Sequence, residues 1–109
     1  MKRDDNVYVR HALDAARKIR EFTDHVDRTT FDRDEKLALA VIRLLEVIGE
    51  AANSLSQEFR DSNEIIPWGK MIAMRNRLIH GYFDVNYDIV WHTVKNDIPV
   101  VIHLLEEIS

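Results

Sequence analysis

The chain has 109 residues, 46% of them hydrophobic, with three glycines, two prolines and no cysteine. That suffices for one domain with one core and is too little for two; the absence of cysteine excludes disulfides and thiolate zinc sites and fits a reducing compartment. A formal net charge of −4 argues against a protein that coats nucleic acid, because non-specific affinity comes from many neutralised phosphates, but it leaves room for a small local contact.

The N-terminus M-K-R-D-D-N-V-Y lacks the apolar core of a signal peptide, and no apolar run approaches the roughly 20 residues that span a bilayer. A soluble, cytoplasmic chain with no membrane partner is expected. From about Asp5 to Val26, Tyr8, Ala12, Ala15, Ile19, Phe22 and Val26 recur at three-to-four spacing, one face of an amphipathic helix. The polar stretch Asp27 to Thr30 breaks it. A second helix is predicted from a cap at Asp32, with Glu35 three residues on, to about Phe59. Its main stripe is Leu37, Val41, Leu44, Ile48, Ala51 and Leu55, widened by Leu39, Ala40, Ile42, Leu45, Val47 and Ala52. A helix apolar over so much of its circumference is central to a bundle or buried between two chains. Gly49, Ala51 and Ala52 are small enough for another helix to come close. Glu46 and Glu50 read as a solvated or structural pair.

Arg60 to Ile66 is a polar loop, and Pro67 falls where a first helical turn tolerates proline. The third helix runs from about Trp68 to His80 and the fourth from Asp88 to about Ile108. Pro99 predicts a kink around Asn96 to Pro99 in the fourth, because proline removes a hydrogen bond and clashes with the preceding turn. His92 and His103 read as polar positions on an amphipathic helix, since metal binding needs more converging ligands. No strand pattern, repeat or phosphate-cradling glycine loop occurs. The fold class expected is all-α, a bundle of four main helices.

The end of the third helix, Met74 to Tyr82, reads M-R-N-R-L-I-H-G-Y. Arg75 and Arg77 carry planar forks of N–H donors that suit phosphate, and His80 can give or take a proton near neutrality. A lone His-Gly would be explained by helix capping, with glycine as the usual left-handed cap. The surroundings add more. No Asp or Glu occurs from Ile65 to Phe83, where Lys70, Arg75 and Arg77 lie, and Trp68, Tyr82 and Phe83 flank these cations. Basic groups interleaved with rings suit single-stranded nucleic acid, the charges for its backbone and the rings for its bases. On an ideal helix Asn76 and Arg77 share a face with His80, but Arg75, five residues away, points about 140° from it. A site using both needs an unwound helix end or a second chain.

With these residues laid out, the chain resembles the HEPN superfamily and, within it, the HepT-like toxins of toxin–antitoxin pairs. Their Arg-x4-His-x-Tyr signature is matched by Arg75, His80 and Tyr82, with the expected polar residue at Asn76. The likeness extends through I-G-E-A-A-N-S-L-S (Ile48 to Ser56), I-P-W (Ile66 to Trp68), D-V-N-Y-D-I-V-W (Asp84 to Trp91) and D-I-P (Asp97 to Pro99). The resemblance implies one HEPN domain over residues 1–109 that forms a two-fold homodimer, the motifs of both chains meeting in one cleft. It implies a metal-independent endoribonuclease without cofactor, acting on RNA rather than DNA through Arg75, Asn76 and His80. Arg77 and Lys70 are expected as secondary phosphate contacts. It further implies a minimal nucleotidyltransferase antitoxin as partner, which silences the toxin by transferring AMP to the motif tyrosine, here Tyr82. A non-catalytic helical module binding a nucleotide or a protein is the rival expectation.

Overall fold

The computed structural model describes residues 4–81 and 85–109. Among them every regular element is helical: α1 (Asp5–Thr23), α2 (Arg28–Arg33), α3 (Glu35–Ser54), α4 (Gln57–Ser62), α5 (Trp68–His80), α6 (Tyr87–His92) and α7 (Ile98–Ile108), with the π-helical stretch Thr93–Asp97 joining the last two. None is long and apolar enough to cross a membrane.

Helix α3 is the centre, packed on α1 and on α5. Its buried face consists of Ala38, Val41, Leu45, Ile48, Gly49, Ala51 and Ala52, so small residues cluster in its C-terminal half. The predicted stripe therefore sits slightly off the buried one: Leu39 is 57% exposed, and in α1 Phe22 is 43% exposed while Val9, Leu13 and Ala16 are buried. Helix α1 stops at Thr23, before Val26, and its end is tied to α7 by the Arg17–Glu106 ion pair of 2.7 Å. Its other end is tied to the α3–α4 joint. Asp5 accepts from both the backbone N–H and the hydroxyl of Ser56, each at 2.8 Å, while the same hydroxyl caps α4 by accepting from the Phe59 N–H at 3.1 Å.

Two boundaries differ from the sequence reading. The predicted second helix, Asp32 to Phe59, takes in the end of α2, all of α3 and the start of α4, which runs on to Ser62 into the predicted loop, and the cap of α3 is Asp34, whose carboxylate accepts from the Leu37 N–H at 3.0 Å; Asp32 pairs instead with Arg28 at 2.8 Å. The polar stretch before it starts α2, capped by Asp27, whose carboxyl the Thr30 backbone N–H holds below the ordinary carboxylate range. This short helix carries Phe31 into the core, with 0% of it exposed. Its ring meets Trp91 at 5.0 Å and Tyr87 at 5.6 Å between centroids, which fixes α6 against the bundle. Phe31→Ala removes this anchor and is expected to destabilise the fold by about 3–5 kcal/mol, readable as a lower urea midpoint.

The irregularity caused by Pro99 lies just upstream of the expected one. Pro99 has no N–H to donate into the preceding turn, and the helix widens over Thr93–Asp97, where the Ile98 N–H reaches back to the Thr93 carbonyl. Thr93 compensates by donating its hydroxyl to the Ile89 carbonyl at 2.8 Å. Single π turns of this kind are frequent at functional sites.

Candidate functional site

Helix α5 begins where predicted, with Pro67 one residue outside as its N-cap. The Trp68 indole N–H donates to the Asn63 carbonyl at 3.1 Å, which sets the entry angle. The helix then continues unbroken to His80. Gly81 ends it, but not in the left-handed conformation: its φ is −110° and its N–H bonds the Arg77 carbonyl at 2.8 Å. Of the two ways to bring Arg75 and His80 together, the unwound helix end is absent, and within one chain the two side chains leave α5 about 140° apart.

Arg75 points inward, onto α3. A Cβ placed on Gly49 would overlap the Arg75 Cβ and stand 2.8 Å from the Met71 carbonyl oxygen, so the absence of a side chain at 49 is what admits the arginine stem. The Arg75 Nε is buried without a hydrogen-bond partner, while Nη1 donates to the Asn76 Oδ1 at 2.7 Å. That bond engages the oxygen of Asn76 and leaves its amide N–H groups free to donate outward. His80 is exposed and has no hydrogen bond or ion pair among the described residues. Tyr82 lies outside the described residues.

Arg77 is exposed on a third face of α5, along a groove walled by α6 and the π turn. Lys70, expected to be free for phosphate, sits 3.4 Å from Asp97. The acid-free window of the sequence thus acquires acids from outside it, Asp88 and Asp97, once the fold brings α6 alongside. No local pattern announces that pairing; it arises from the register of α5 against the π turn. Glu46 and Glu50 both lie 3.4 Å from Arg43 of their own helix, and His103 pairs with Glu107 at 3.2 Å.

Comparison with known proteins adds the family. Residues 12–108 match the family described as Ribonuclease HepT-like. A Thermococcus cleftensis protein named "Probable ribonuclease HepT" is 42% identical over 99 residues, covering 91% of this chain and 90% of its own. Two further relatives carry RNase in their names. That from Methanocaldococcus jannaschii is 38% identical over 92% of each chain; that from Caldanaerobacter subterraneus subsp. tengcongensis is 38% identical over 93% of this chain and 90% of its own. No solved structure gives a significant match.

Proposed function

The chain belongs to the Ribonuclease HepT-like family, and on that footing we propose that it is a metal-independent endoribonuclease, the toxin of a toxin–antitoxin pair. In this reading residues 1–109 form a single HEPN domain that works in the cytoplasm as a two-fold dimer. The observation that carries the reading is the Arg75, Asn76 and His80 set on one unbroken helix, with Arg75 seated against Gly49 and His80 open to solvent.

A second chain is what makes such a set usable. Gly69, Ala73, Asn76 and His80 recur at spacings of four, three and four along α5, and all are exposed, with Ile79 beside them 37% exposed. A face of small residues suits close approach by another helix, and a two-fold contact there would bring both copies of His80 to one cleft.

RNA carries its own nucleophile, so the protein has to supply a base, an acid and positive charge. One His80 takes the proton of the ribose 2′-hydroxyl as its oxygen attacks phosphorus, and the partner's His80 gives a proton to the departing 5′-oxygen. The P–O5′ bond breaks, leaving a 2′,3′-cyclic phosphate and a 5′-hydroxyl. Arg75 steadies the charge on the phosphorane, a contribution of about 3–4 kcal/mol for one well-placed donor. Asn76 offers its amide N–H groups to a phosphate oxygen, and Arg77, with Lys70, steadies the flanking strand. AMP added to Tyr82 by a nucleotidyltransferase antitoxin would bring bulk and negative charge to the same helix end and silence it.

The test is incubation of full-length protein with total RNA in EDTA, using protein whose intact mass shows no AMP. The wild type is expected to cut, leaving cyclic phosphate ends, and His80→Ala to lose about 10²–10⁴ of the rate. An unmodified wild type that leaves a broad RNA pool intact would instead favour a non-catalytic binding module.

A further inference from the structure

The groove between α5 and α6 encloses about 420 Å³, within the range of sites that hold small organic groups. Met74 and Ile89, both half-buried, give it an apolar floor, and Arg77 and His92, both exposed, line it with them. A smaller depression that also uses Met74, Arg77 and Ile89 carries it on to Gly81, at the helix end where His80 lies. From Lys70 to Gly81 the path is about 16 Å long.

Its polar groups are unevenly committed. The two carboxylates on its walls are engaged, Asp88 by Arg28 at 2.7 Å and Asp97 by Lys70 at 3.4 Å. Arg77 has no acidic partner among the described residues. The His92 tautomer follows from its neighbour: the Asn96 amide nitrogen donates to the His92 carbonyl at 3.1 Å and stands 3.1 Å from His92 Nδ1. A carbonyl only accepts, so nitrogen is the atom facing the ring, Nδ1 accepts, and the neutral ring carries its proton on Nε2. The groove therefore offers an apolar floor and two N–H donors, and each of its two carboxylates already has a cationic partner.

We propose that this groove seats one unstacked RNA base beside the scissile phosphate and selects a keto base, guanine or uracil, through donation from Arg77 and His92 to its carbonyl oxygen. The proposal rests on the nuclease reading and gives it a base preference. Single-stranded RNA is read through bases splayed out of the stack. Arginine pairs well with the O6 and N7 of guanine. Adenine and cytosine put an amino group where the keto bases have that oxygen, so donor would face donor and a desolvated N–H would be left unpaired.

The test uses full-length protein and single-stranded hexamers methylated at every 2′-oxygen, which lack the attacking hydroxyl, so that anisotropy reads binding without cleavage. The hexamers differ at one position, scanned along the strand, as G, U, A or C. At one position the wild type is expected to bind the G and U forms at least about fivefold tighter than the A and C forms. His92→Ala, at an exposed position that leaves the fold intact, is expected to remove the preference without weakening the A form; Ile89→Trp, which fills the groove, should remove it too. A wild type without base preference, or a preference that survives both substitutions, overturns the proposal while leaving the nuclease reading in place. Failure to bind any hexamer overturns both.

Discussion

Gly49→Val is expected to lower stability by about 1–3 kcal/mol and to cut RNA cleavage by about a hundredfold in the protein that stays folded. The helical position itself would welcome a side chain, since glycine costs about 1 kcal/mol there relative to alanine. The neighbours decide the sign. Even the first carbon added at 49 overlaps the Arg75 Cβ and crowds both the Met71 carbonyl, at 2.8 Å, and the Arg75 Cγ, at 2.9 Å. Neither backbone nor the root of a side chain can swing away as a flexible tip could, so α5 must move off α3, and Arg75 moves with it. Arg75→Ala separates the two effects. It keeps the Cβ that rests on Gly49 and deletes a buried Nε that has no partner, whose burial costs free energy. Its unfolding transition should stay close to wild type while cleavage is lost. Urea unfolding followed by circular dichroism gives the stability. Cleavage rates below the transition show whether Gly49→Val acts on the site as well as on the fold.

What could be read from the sequence, and what could not, follows from the range of the interactions involved. The bounds of α5 are local: Pro67 and Gly81 bracket it, and both ends fall where their chemistry puts them. The all-helical class came from three-to-four spacing, which needs no tertiary knowledge. The smallness of Gly49 and its use as a close approach were visible too, but not its partner, because nothing at position 49 encodes the register of α5. The same limit explains Phe31, which lies between the polar stretch Asp27 to Thr30 and the predicted cap at Asp32 with no place in either helical stripe, and whose partners Tyr87 and Trp91 are nearly sixty positions on. It also explains Lys70, isolated from acids in sequence and beside Asp97 in space. The cap at Asp34 was missed for a different reason. Asp27, Asp32 and Asp34 all have capping chemistry, and the choice among them depends on where α2 ends, which Phe31 decides by its burial. Gly81 illustrates a rule over-applied: it ends its helix through the bond from its N–H to Arg77, without the left-handed turn that glycine usually supplies there.

Mixing wild-type protein with His80→Ala under conditions that exchange subunits is expected to lower cleavage with the square of the wild-type fraction, to about a quarter at equal proportions. The reason lies in the chemistry of the displacement. The base and the acid must stand on opposite sides of the phosphorane, so one imidazole cannot take the 2′-hydroxyl proton and protonate the leaving oxygen in the same step. The other imidazole near α5, His92, lies on α6 in the groove with Arg77 and Asp97, its Nδ1 engaged by Asn96, and is committed there to the RNA base instead of the phosphorane. A two-fold dimer supplies the missing group at no cost in sequence, as a second His80. A mixed dimer with one His80 then has a base or an acid but not both, and only dimers with two wild-type chains turn over. Independent sites, each needing one His80, would instead lose activity in proportion to the mutant fraction and keep about half at equal mixing. The curvature of that titration, measured with exchange confirmed by mass labels on one of the two proteins, counts the imidazoles in the cleft. A straight line would return the role of acid to a group other than the partner's His80.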